Sequence, residues 1–147
     1  MSQPALPPPG WQTPERTACV FANALMARAA VCEKAGHRSV GERYFVECRS
    51  PVSAINCATL AALLHERARV SFGLPCAGEP VTHAMALRLQ CGGLSGLRQS
   101  LGATDTNVHA LIGAAHERHA SLTALPWQEI LLAITCWQPK RRSARPP

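Results

Sequence analysis

The sequence predicts a mainly α, single compact domain of five or six helices with one β-hairpin near residues 36–49, and three observations carry that expectation. A chain of 147 residues, 47% hydrophobic and 16% charged, has the apolar surface for one core, and that length buries roughly 70% of its unfolded surface. Apolar residues recur at three- and four-residue spacing along most of the chain. That periodicity is punctuated by helix starts at Thr13-Pro14, Ser50-Pro51, Thr82 and Pro126 and by stops at Gly36, Gly73 and Gly102.

Residues 1–12 carry Pro4, Pro7, Pro8 and Pro9 and read as a proline-rich disordered leader. The helical domain is expected over 13–139, and residues 140–147 form a basic disordered tail. A first helix capped by Thr13 would place Ala18, Phe21, Ala22, Leu25, Ala29 and Cys32 on one stripe and end at Gly36. Val40, Tyr44, Phe45 and Val46 then favour extended structure, which a helix must cover, because a lone hairpin is marginal in water. Ser50-Pro51 opens a second helix with Cys57, Leu60, Leu64 and Ala68 on its apolar stripe, running to about Phe72. Thr82 opens a third, which Cys91-Gly92-Gly93 closes before a short segment ending at Gly102, a helix, turn, helix arrangement. Asp105 or Thr106 caps the next, with Val108, Leu111, Ile112, Ala115, His119 and Leu122 facing the core. Trp127, Ile130, Leu131, Ile134 and Trp137 share one face of the last, and Pro139 stops it. Leu60, His65, Glu66, Arg67, Leu74 and Pro75 recur 51 positions on as Leu111, His116, Glu117, Arg118, Leu125 and Pro126, a weak internal repeat.

Fifteen Lys and Arg against nine Asp and Glu give a net charge of +6, a field that favours phosphates, anionic surfaces or an acidic protein partner. Lys140, Arg141, Arg142 and Arg145 concentrate it in the tail, where nothing packs, and mark a contact for nucleic acid. The first ten residues lack the cations and apolar run of a signal peptide. No apolar stretch approaches the roughly 20 residues of a membrane span. The expectation is a cytoplasmic protein with reduced thiols.

The seven cysteines include no C-x-x-C pair, so a metal site has to be assembled by the tertiary fold. Cys32, Cys48, Cys57 and Cys91 are the candidate ligands, because Cys32, Cys48 and Cys91 sit at predicted element ends and Cys57 follows Cys48 closely. The group they would hold is an iron–sulfur cluster or zinc. Cys19, Cys76 and Cys136 are left as bystanders. The competing reading is that free cysteines behave as small buried hydrophobes.

No catalytic signature emerges, and a non-enzyme is favoured. Cys91 would be an activated nucleophile only at a helix start, with His83 as its base. His116-Glu117-Arg118-His119 is one residue short of H-E-x-x-H, so a partly buried, hydrogen-bonded His119 is expected. The glycine-rich run at 92–96 lacks the P-loop lysine and is explained by a helix end and close helix approach. A DNA-reading helix over 94–101 would present Arg98 and Gln99 to bases. The expected function is therefore that of a small accessory or regulatory protein with a cysteine-ligated metal. Its alternative is a metal-free binding module for nucleic acid or an acidic protein.

Overall fold

The computed structural model describes residues 17–76 and 78–139. The leader, the cap at Thr13 and the basic tail lie outside them. The chain opens with strand β1 (Thr17–Ala18), a short helix α1 (Ala22–Met26) and the hairpin β2 (Ala35–Val40) and β3 (Arg43–Cys48). These make a three-stranded antiparallel sheet in the order β1-β3-β2. Thr17 faces Cys48 on one edge of β3, and Ala35 faces Cys48 on the other.

The hairpin lies where the β-branched and aromatic residues place it, but the first helix is overturned. Residues 17 and 18 pair with β3, and Cys19 N–H donates to the Val46 carbonyl at 3.0 Å. Those ladder bonds take up backbone groups that a helix over the same residues would use. Only five residues then turn helically before Arg28, in the left-handed region at φ 60°, ends the run. Cys32 consequently lies in a loop and not in a last helical turn. Gly36 is a buried strand residue, not a helix stop, and a Cβ there would meet Arg49 Nε at 2.9 Å.

Helix α2 (Pro51–Phe72) follows its sequence signals closely. Ser50 Oγ accepts from Ser53 N–H at 3.2 Å, Pro51 begins the helix, and Gly73 ends it at φ 62°, a conformation glycine reaches without steric cost. Cys57, Leu60, Leu64 and Ala68 are buried along one stripe.

Helix α3 (His83–Leu87) is capped by Thr82 Oγ1, which accepts from Met85 N–H at 3.1 Å. The chain does not turn at Cys91-Gly92-Gly93. A π-helical turn (Arg88–Gly92) carries it straight into α4 (Gly93–Leu101). Gly92 and Gly93 have ordinary right-handed helical angles, so they serve packing and not chain reversal. A Cβ on Gly92 would lie 2.8 Å from Ile134 Cα, one on Gly93 2.6 Å from Leu64 Cδ2, and one on Gly96 2.9 Å from Ile130 Cα. Gly92 and Gly96 thus let this helical run approach α6 (Trp127–Cys136) at near-backbone distance, and Gly93 makes room for the Leu64 side chain of α2. Gln90, inside the π turn, accepts from Ala24 N–H at 3.1 Å and ties α1 to this long helix. Without a turn at 91–93 there is no helix-turn-helix, and Leu94, Leu97 and Leu101 of the supposed reading helix are buried.

Helix α5 (Val108–His119) has Asn107 at its N-cap position, not Asp105 or Thr106. Asp105 Oδ1 accepts from Asn107 N–H at 2.8 Å and shapes the entry, while Asn107 Oδ1 accepts from Glu33 N–H. With the parallel bridge between Val31 and Asn107, this pins the Cys32 loop to the start of α5. Phe21, Leu60, Leu64, Leu97, Val108, Leu111, Ile130 and Ile134 are the largest fully buried side chains of one continuous core. The repeated residues diverge structurally: His65 Nε2 meets the Pro75 carbonyl at 2.8 Å, whereas Pro126 accepts the first amides of α6. No helix of the described residues is long and apolar enough to cross a membrane.

Candidate metal centre

Cys19, Cys32, Cys48 and Cys57 line a single small cavity of about 20 Å³ where the sheet meets α2. Each arrives from a different place in the chain. Cys19 opens a tight turn that Ala22 N–H closes on the Cys19 carbonyl at 3.2 Å, and Cys32 opens a like turn closed by Ala35 N–H at 3.1 Å. Cys48 ends β3 between two strand partners, and as a thiol it donates to the Ser50 carbonyl at 3.2 Å. Cys57 lies in the second turn of α2, one turn beyond Ser53. All seven cysteines of the chain are free thiols.

The four sulfurs form one electrostatic group. Burial pushes the Cys57 thiol up to about 12, and the neighbouring charges of Cys32, Cys19 and Cys48 push the same way. Cys19 is also raised, by burial first and then by Cys32 and Cys48, while the backbone N–H of Phe21 at its sulfur works in the opposite direction. An apolar wall and mutual repulsion keep the Cys19 and Cys57 thiols protonated near neutral pH. The Phe21 amide is the kind of donor that favours a thiolate once a cation balances it. Among the described residues, no three His, Cys, Asp or Glu side chains are grouped closely enough, as they stand, to hold a metal ion.

Three of the four cysteines named from sequence are thus brought together, and the fourth is exchanged. Cys91 lines a different cleft, and its thiol is raised by burial alone. It lies inside the π turn with 3% of its surface exposed. The reading of Cys91 as an activated nucleophile fails with it, since no helix starts there and burial disfavours the thiolate. Cys19, a bystander on the helix that the sequence predicts, enters the group because β1 replaces that helix. No spacing within the sequence marks Cys19, and its only local signal is Thr17, a β-branched residue. Cys76 and Cys136 are exposed and stand apart from the cavity.

His109 also borders the cavity. Its Nδ1 is 3.0 Å from Ser53 Oγ, and its Nε2 is 3.9 Å from Glu33 Oε1. That pair joins α5 to the start of α2 and explains why Ser53 is a buried polar residue. The Nε2 atoms of His116 and His119 are buried without a hydrogen-bond partner among the described residues. The expected satisfied His119 is therefore not found. No family model, no curated protein and no solved structure matches this chain.

Proposed function

We propose that this chain is a small accessory or regulatory protein of the reducing cytoplasm, clamped by a structural metal ion on Cys19, Cys32, Cys48 and Cys57. The observation that carries the reading is the convergence of four free thiols from four separate positions on one cavity. Four sulfurs in a dry pocket are a tetrahedral soft-donor set, the chemistry zinc and iron–sulfur centres select. A space of about 20 Å³ takes one ion and not a cluster with its sulfides, so zinc is favoured. Binding draws the sulfurs in to metal–sulfur distances of about 2.3 Å. It also displaces protons from thiols that burial holds protonated, so affinity rises with pH. The ion would tie a two-residue strand, a loop, a hairpin end and a helix together, and its binding energy would add directly to folding.

The test is elemental analysis of the full chain purified anaerobically without chelator. One zinc per chain is expected. Serine at any of the four positions should lose the metal and lower the melting temperature, while Cys91→Ser keeps the metal. Iron with acid-labile sulfide would identify a cluster instead. Metal-free protein, or loss of metal in Cys91→Ser with retention in Cys19→Ser, overturns the assignment.

The metal-free binding module has its own support in the outer face of the hairpin. Arg38 stacks over Phe45 at 5.6 Å and pairs with Glu47 at 2.9 Å, with Arg43 exposed beside them. Such a surface, together with the tail cations, suits nucleic acid or an acidic protein. Retention on a polyanion column that survives metal removal and is lost when residues 140–147 and Arg43 are neutralised would favour it.

A further inference from the structure

A second cavity, a cleft of about 270 Å³, lies on the other side of the Cys32 loop, between the chain leaving α1, helix α4 and the end of α6. Arg28 and Arg98 both line it, with Ser95, Thr106, Cys91 and Trp137, and no Asp or Glu among the described residues does so. Two arginines, whose side chains cannot lose their charge, thus border one concave, partly apolar site without a counter-charge. Like charges so arranged repel unless an anion joins them. Arg98 spends one nitrogen on the Ala103 carbonyl at 3.4 Å, which leaves most of its donors unused. The backbone N–H of Arg28 donates to the Leu25 carbonyl at 3.0 Å, but its side chain makes no hydrogen bond or ion pair with any described residue.

The backbone of Arg28 is the second observation. It stands just past the end of α1 at φ 60°, the position and conformation where glycine is usual. A long cationic side chain thus stands where steric preference favours glycine, and it borders the cleft without a polar partner among the described residues.

We propose that this cleft binds a small organic oxyanion, its phosphate or carboxylate held between Arg28 and Arg98 and its apolar body against Trp137. Paired guanidinium groups match both oxyanions through charge-assisted, bidentate bonds. The cleft is near the lower size limit of pockets that take small molecules. The inference does not depend on the metal reading, since Cys91 is the only cysteine lining the cleft.

The test titrates phenyl phosphate, benzoate, inorganic phosphate and phenol into the full chain, with calorimetry for affinity and amide NMR shifts for place. Phenyl phosphate or benzoate should saturate, whichever is tighter naming the oxyanion, and shifts should centre on residues 28–30 and 94–98. Phenol, which has no charge to offer, should bind about tenfold or more weakly. Arg28→Gly is the decisive variant: it relieves the left-handed strain, so its melting temperature should equal or exceed that of the native chain. Its anion affinity should nonetheless fall by about tenfold or more, with partial recovery in Arg28→Lys. Unchanged affinity in Arg28→Gly overturns the proposal and places the binding on the tail cations. Absence of saturation by every anion also overturns it.

Discussion

Replacing Gly96 by alanine tests the close packing of α4 on α6. In isolation the change favours a helix by about 1 kcal/mol, because alanine has less backbone freedom to lose. In the fold, the added Cβ would stand 2.9 Å from Ile130 Cα, 2.9 Å from Ala133 Cβ and 3.2 Å from the Ile130 carbonyl oxygen. Carbon atoms in contact prefer about 3.5–4.0 Å, so α4 and α6 must separate by roughly half an ångström or more. The opposing atoms are mostly backbone and cannot rotate away. Overpacking of this kind costs about 1–3 kcal/mol, and the wider gap also loosens Ile130 and Ile134, which are fully buried. The net expectation is a loss of about 1–2 kcal/mol, or about 5 °C in melting temperature for a domain of this size. Gly113→Ala is the matched control. Gly113 lies within α5 with nothing inside 4 Å of its built Cβ, so it should gain about 0.5–1 kcal/mol from the same propensity term. Urea unfolding of both variants, monitored by far-ultraviolet circular dichroism, reads the two signs directly. Equal or greater stability in Gly96→Ala would refute the close approach of α4 and α6.

Two further expectations concern the cysteine cavity and the helix that supports it. The Cys57 thiol lies near 9 in the unfolded chain and is pushed up to about 12 in the fold, so in metal-free protein its contribution to stability is fully present below pH 9 and is lost as pH rises toward 12. Cys57→Ala should flatten that alkaline limb, and an unaltered limb would show that another group causes it. Ser50→Ala removes the oxygen that accepts from Ser53 N–H and should cost about 1 kcal/mol by chemical denaturation. An exchange of serine for alanine with no loss there would mean that Pro51 alone sets the start of α2.

How much of this was legible in the sequence depends on where each signal's physical cause lies. Ser50, Pro51 and Gly73 delimit α2 correctly, and Thr82 and Gly102 mark the outer ends of the next helical run. Each acts on backbone groups within four residues, so a cap or a left-handed glycine is readable without the fold. The apolar stripes of α2, α5 and α6 were likewise visible, because 3.6-residue periodicity is a property of one helix. The hairpin was found from its β-branched and aromatic residues. Its third strand was missed, because Thr17 and Ala18 are extended only by virtue of partners near Cys48. The same ambiguity bears on the glycines at 92 and 93, where the expected close helix approach holds and the expected helix end does not. A glycine that ends a helix and one that lets another helix come close look identical in sequence, and only Ile134 and Leu64 decide between them. The candidate site shows the division most clearly. Composition alone supplied seven thiols, and nothing local ranks Cys19 above Cys91. The ladder bonds that carry residues 17–19 into the sheet place the Cys19 sulfur beside Cys32, Cys48 and Cys57. The unbroken helix through the π turn carries Cys91 to a different cleft, because long-range backbone pairing and close helix packing, unlike capping, exist only once distant segments have met.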